Sequence, residues 1–155
     1  LPSTLAIRVV ERTPVGWFRS PDGAVLVARD TTVLGTPAAP PTDVPAVGTV
    51  SAGSTPGERF SDPPITLTVA ASMDRTLLRH VRSVVPRAPD AVGLRLRDGG
   101  TVLYGEPTRL GEKNDRLAAL LRWARRNEVE IDSIDLRVPE TPSLDPIDGP
   151  PSVSD

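Results

Sequence analysis

Along residues 4–11 the apolar side chains Leu5, Ile7 and Val9 alternate with Arg8, the period of a strand with one buried face. Pro14 cannot donate to a ladder and keeps Thr13 extended, so it punctuates that strand. Two further apolar runs, 15–19 and 24–29, flank Ser20-Pro21-Asp22-Gly23, whose Pro and Asp-Gly suit a tight reversal and predict a hairpin. The clearest alternation comes later. Val92, Leu94 and Leu96 interleave with Gly93, Arg95 and Arg97, Asp98-Gly99-Gly100 turns the chain, and Val102-Leu103-Tyr104 returns as a second hairpin. Residues 107–126 change period. Leu110, Leu117, Leu121 and Ala124 fall in one arc at about 100° per residue, with Leu120 beside them, which predicts an amphipathic helix with Pro107 in its first turn. Arg122, Arg125 and Arg126 complement its C-terminal dipole.

Between these signals the pattern is weaker. Residues 36–64 carry seven prolines and predict an irregular surface segment with one short strand near Val44–Val50. Residues 65–73 read either way: two preceding prolines suit a helix start, the β-branched residues suit a strand, and a short helix is the expectation. Residues 80–85 predict a short strand. A last strand spans 131–138, with Ile134, Leu136 and Val138 on one face and Asp135 and Arg137 on the other. The Pro-, Ser- and Asp-rich run from 143 to 155 is expected to be a disordered tail. Strands that meander, with few helices between them, define an α+β class, with a mixed or antiparallel sheet and helices on one face.

Composition narrows the chemistry. The 155 residues make about one domain, and eighteen prolines, twelve glycines and five aromatics leave an aliphatic core to build it. A formal charge of −2 argues against a general nucleic-acid binder. Absence of cysteine excludes a disulfide framework, a thiol nucleophile and iron–sulfur or zinc-finger sites, and a lone histidine excludes a multi-histidine metal site. Seventeen of the eighteen basic residues are arginine, a bias that fits GC-rich coding better than a chemical role. No apolar run is long enough to span a membrane and no signal peptide is visible. The chain starts at Leu1 and reads as a piece of something longer.

Candidate reactive groups reduce to structural ones. His80, in Leu77-Leu78-Arg79-His80-Val81, has no readable partner to orient it as a base. Glu128, Glu130 and Asp132 share a parity flanking the last strand, which describes a solvated face better than a glycosidase pair. Asp145-Pro146-Ile147-Asp148-Gly149 lacks the ligand set of a calcium loop. Gly99, Gly100 and Gly105 serve hairpin geometry, since no phosphate-binding glycine motif is present. Two features point instead to contact with a partner. Trp123 lies off the helix's apolar stripe, so it either covers a sheet edge or faces another protein, where tryptophan is a common anchor. Nothing after Pro139 reads as a strand that would pair with 131–138. That strand is therefore expected at the sheet edge, either guarded by Asp135, Arg137 and Pro139 or open to an added strand.

The order of these segments resembles a known family. Leu1-Pro2-Ser3-Thr4-Leu5, Ile7-Arg8-Val9-Val10-Glu11-Arg12-Thr13-Pro14-Val15, the strand Gly23–Asp30, the hairpin Val92–Gly105, the helix pattern Arg109, Lys113, Leu117, Leu120-Leu121, and the closing Ile134-Asp135-Leu136-Arg137-Val138-Pro139-Glu140-Thr141-Pro142 are similar to segments of the bacterial division proteins FtsQ/DivIB. Leu1 stands where the family usually has Trp, and the Pro-rich run within 36–80 replaces a longer Leu/Ala-rich helix. The resemblance implies that 1–13 is the last strand of a POTRA domain, 14–142 an FtsQ-type β domain and 143–155 a tail. It implies a membrane-anchored parent with this part on the extracytoplasmic face of the plasma membrane at the septum. The implied function is a non-enzymatic scaffold that binds FtsB/DivIC-like and FtsL-like proteins and links them to septal peptidoglycan synthesis, with no cofactor, metal, nucleic acid or small-molecule substrate. The family's partner docks on the closing strand, which carries over to Ile134, Asp135, Leu136, Arg137, Val138, Pro139, Glu140 and Thr141, with Trp123 as a further anchor. The competing reading is an extracytoplasmic POTRA-associated module for protein export or outer-membrane assembly.

Overall fold

The two Asp-Gly turns lie at the tips of the two hairpins. In the computed structural model, which describes residues 11–51 and 54–147, β1 (Pro14–Ser20) pairs antiparallel with β2 (Gly23–Ala28), Ser20 facing Gly23. Likewise β6 (Ala91–Leu96) pairs with β7 (Thr101–Gly105) around Gly99, whose φ of 116° only glycine adopts without strain. The remaining elements are β3 (Val33–Gly35), β4 (Ala46–Thr49), α1 (Ile65–Ser72), α2 (Arg75–Leu78), β5 (Val81–Ala88), α3 (Leu110–Arg126), β8 (Ile131–Asp135) and β9 (Ser143–Pro146). All strands join one nine-stranded mixed sheet in the order β3-β2-β1-β4-β5-β6-β7-β8-β9. The β1–β4, β4–β5 and β7–β8 pairs are parallel, and α3 makes the crossover between β7 and β8. The expected α+β class is therefore the observed one.

Register explains the core. Val84, Leu94, Val102, Ile134 and Leu144 face one another across β5 to β9. The first four are buried and Leu144 packs against them. One residue along, Val85, Gly93, Leu103, Asp135 and Ser143 form the opposite face, where Leu103 is 36% exposed. This period of two gives one dry and one wet face to this half of the sheet. The helices cover the dry face. α1 packs on β1, β4, β5 and β6 and touches α3, and Thr66 donates its hydroxyl to Val47 O at 2.5 Å. Pro63 and Pro64 start α1 as expected, with Pro64 extended at the N-cap. Asp74 caps α2, accepting the Leu77 N–H at 2.7 Å.

Several expected boundaries move. The long helix begins at Leu110, not near Pro107, because Arg109 at its N-cap is left-handed (φ 54°) and the chain must first leave β7 through Gly105 (φ 76°). The strand expected over 131–138 ends at Asp135. Leu136 still donates to Leu103 O at 2.9 Å, but the Arg137 N–H turns back to the Asp135 carboxylate at 3.0 Å. Ser143–Pro146, expected within a disordered tail, forms β9 and pairs with β8. The strand expected over 4–11 and the POTRA boundary built on it fall almost wholly outside the described residues, as do residues 148–155. Among the described residues no helix is long and apolar enough to cross a membrane.

Candidate partner-binding edge

A sheet of nine strands has two ends, and they are not equivalent. The outer side of β3 is occupied: Val33 N donates to Glu58 O (2.8 Å), Gly57 N to Val33 O (2.9 Å), and Phe60 N to Thr31 O (3.2 Å). The outer side of β9 pairs with nothing among the described residues. Ile147 N donates to Glu130 O at 3.0 Å, so its N–H faces β8. Strand alternation then turns the N–H of Leu144 outward, and Pro146 sits where an outward donor would otherwise stand. This corrects the expectation that 131–138 is itself the edge: β8 lies between β7 and β9, and the free ladder belongs to Ser143–Pro146.

The expected contact residues separate into four groups. Ile134 and Leu136 have no exposed surface and belong to the core, and Pro139 is buried with them. Asp135, Arg137, Val138 and Thr141 come together with Ser143 around a shallow cavity of about 330 Å³ beside the edge. Here Arg137 brackets Asp135 with Nε at 3.1 Å from both carboxylate oxygens and Nη2 at 2.6 Å from Oδ2. The arginine holds the Asp135 carboxyl below the usual range, against a partial desolvation that pushes it up. Val138 is 56% exposed at the rim. Trp123, 46% exposed on α3, does not line this cavity.

Glu140 points elsewhere, to Arg109 at the start of α3. Its own backbone N–H and the Arg109 guanidinium keep its carboxyl below the ordinary value. The segment that delivers Arg109 is fixed from beneath. Lys113 is only 2% exposed, and its ammonium donates to Tyr104 O (2.9 Å) and Glu106 O (2.8 Å). Asn114 accepts the Tyr104 hydroxyl at 2.9 Å and donates to Ser72 O and Oγ at 3.1 and 3.0 Å. Burial pushes the Tyr104 phenol up and the Lys113 ammonium down from their usual values. Every buried side-chain polar atom among the described residues has a partner. Sequence reasoning placed neither Lys113 nor Asn114 in the interior, although both fall on the stripe between Leu110 and Leu117.

A larger cavity of about 670 Å³ lies between α2 and α3, lined by Asp74, Arg79, His80, Leu121, Arg122 and Arg125 among others. His80 faces it without a serine or a second histidine. Among the described residues no group of three His, Asp or Glu side chains is arranged to hold a metal ion.

The chain with this fold, one mixed sheet covered by helices on one side and, among the described residues, open at one edge, matches a known family. A family model described as cell division protein FtsQ/DivIB, C-terminal, fits residues 17–137, and the chain belongs to that family. The match ends at Arg137, so β9 lies beyond it. Two proteins named cell division protein FtsQ are similar to the chain. The one from Mycobacteroides abscessus is 32% identical over 135 residues, covering 87% of this chain and 42% of that protein. The one from Mycobacterium leprae is 33% identical over 135 residues, covering 87% of this chain and 38% of that protein. The chain thus spans about two fifths of the length of these relatives.

Proposed function

We propose that this chain is the extracytoplasmic β domain of a cell-division scaffold and that it works by binding, taking a strand of an FtsB/DivIC-like partner onto β9. The observation that carries the reading is the outer side of β9, unpaired among the described residues, in a sheet whose other end is already covered. Strand addition supplies affinity through main-chain hydrogen bonds, and side-chain pockets supply specificity. The exposed Val138 and the Asp135–Arg137 pair flank that edge and provide an apolar contact and a charged one. Membership of the FtsQ/DivIB family supports the division role over a module for protein export. An FtsL-like protein is the second partner in this reading, and septal peptidoglycan synthesis the process to which the scaffold links them.

The reading is tested by nuclear magnetic resonance of the labelled chain titrated with the extracytoplasmic segment of an FtsB/DivIC-like protein. The Leu144 amide is expected to become protected and to shift most, with Val138 and Ser143 following. Saturable binding that leaves 138–147 unshifted would overturn it.

A further inference from the structure

We propose that Arg109 is a positioning residue for the β9 edge: by clasping Glu140 it seats the turn from which β9 springs. The inference rests on the strand-addition reading for its functional consequence, though not for its structural content. Between Asp135 and Ser143 the buried Leu136 and Pro139 hold the chain from below, but few polar contacts reach outside the segment. Leu136 is bonded to β7, Arg137 to Asp135 within its own segment, and Thr141 N to Val138 O at 3.1 Å within the turn. Two prolines, Pro139 and Pro142, lack donors altogether. Among the described residues two side-chain ion pairs hold this turn: Arg137 to Asp135 at the end of β8, and Glu140 to Arg109 at the start of α3, the second being the one that reaches across to a helix.

Arg109 is built for two clients. Its Nε and Nη2 donate to Glu112 Oε2 at 3.1 and 2.7 Å, and Nη1 reaches Glu140. A planar guanidinium presents donors on separate nitrogens in a fixed fork, so it serves two carboxylates at once in a defined geometry. The residue also occupies a left-handed conformation, where a β-carbon is strained and glycine is the usual choice. The strained arginine at this position is explained by what its side chain reaches. Beneath it, the Lys113 ammonium donates to the carbonyls of Tyr104 and Glu106, and the Lys113 backbone N–H donates to Arg109 O at 3.0 Å. The clasp is therefore anchored to the core at one end and to the turn at the other.

Because β9 is four residues long and packs only Leu144 on the core, its docking is set by few contacts. Loss of the clasp lowers the docked population locally and leaves the rest of the sheet intact. Both partners of the ion pair are about half exposed, so the effect is local and modest. A β9 that leaves β8 removes the outward ladder that a partner strand needs.

The test is hydrogen exchange of the whole chain without any partner, so it stands apart from whether a partner docks. Glu140→Gln and Arg109→Gly are compared with wild type. Glycine relieves the left-handed strain while removing the guanidinium, so strain and clasp act in opposite directions. Glu112→Gln, which cuts only the helix side of the fork, is the control. The Ile147 amide, bonded to Glu130 O, reports β9. Its exchange is expected to speed up about three- to fivefold in Glu140→Gln and Arg109→Gly and to stay unchanged in Glu112→Gln, with the β6 and β7 amides unaffected. Wild-type exchange at Ile147 in both clasp variants, or equal acceleration through β6 and β7, would overturn the proposal.

Discussion

Replacing Leu117 by alanine tests how α3 sits on the sheet. Leu117 has no exposed surface and lies on the face of α3 that meets the core. The substitution deletes three carbons, worth about 2.4 kcal/mol in transfer at about 0.8 kcal/mol per methylene, and the unfilled cavity raises the cost to about 3–4 kcal/mol. At about 2–4 °C per kcal/mol for a chain of this size, the melting temperature is expected to fall by roughly 6–16 °C. Trp123→Ala on the same helix is the internal comparison. That side chain is larger, but it is 46% exposed and outside the core. It is expected to cost about 1 kcal/mol or less. Urea unfolding followed by circular dichroism gives both numbers. A Leu117→Ala cost below about half a kcal/mol, or a Trp123→Ala cost exceeding it, would refute the packing described for α3.

Tyr104→Phe should cost about 1–2 kcal/mol in the same assay, because it leaves the buried Asn114 Oδ1 without its donor; a neutral result would mean that the network is slack. Asp30 makes a prediction about acid. Partial desolvation pushes its carboxyl up, but hydrogen bonds from Thr32 and Arg12 outweigh that and bring it down to about 2. A depressed carboxyl stabilises the fold above its unfolded value, and that contribution disappears as pH falls from about 4 to about 2. The melting temperatures of wild type and Asp30→Asn should therefore differ at pH 6 and converge by pH 2, and a constant difference would contradict the assignment.

How much of this was readable in the residues depends on where the signal is stored. The hairpin at Asp98-Gly99-Gly100 and the α3 stripe are local, since turn chemistry and period sit within one segment, and both are observed. β9 is not local. Ser143-Leu144-Asp145-Pro146 holds one large apolar residue, and its identity as a strand comes from Ile134 across the ladder. That is why the open edge was expected on the 131–138 strand, one position too far in. Ile134 and Leu136 were then expected at a partner surface, although the same alternation that marks them as apolar buries them. Val138, Asp135, Arg137 and Thr141 do flank the edge, because the turn brings them beside Ser143. The interior place of Lys113 needed knowledge of the carbonyls of Tyr104 and Glu106, which converge only once β7 meets α3.

The central claim is that β9 offers its outer ladder to a partner strand, and one calorimetric titration tests it directly. The chain and its Leu144→Pro variant are each titrated with the extracytoplasmic segment of an FtsB/DivIC-like protein, with circular dichroism confirming that both are folded. Proline at 144 removes the outward N–H and also the side chain that packs β9 on the core, and the loss of the edge is expected to weaken binding tenfold or more, equivalent to about 1.4 kcal/mol. Wild-type affinity in a folded Leu144→Pro protein would contradict the account and move the partner to another face of the domain.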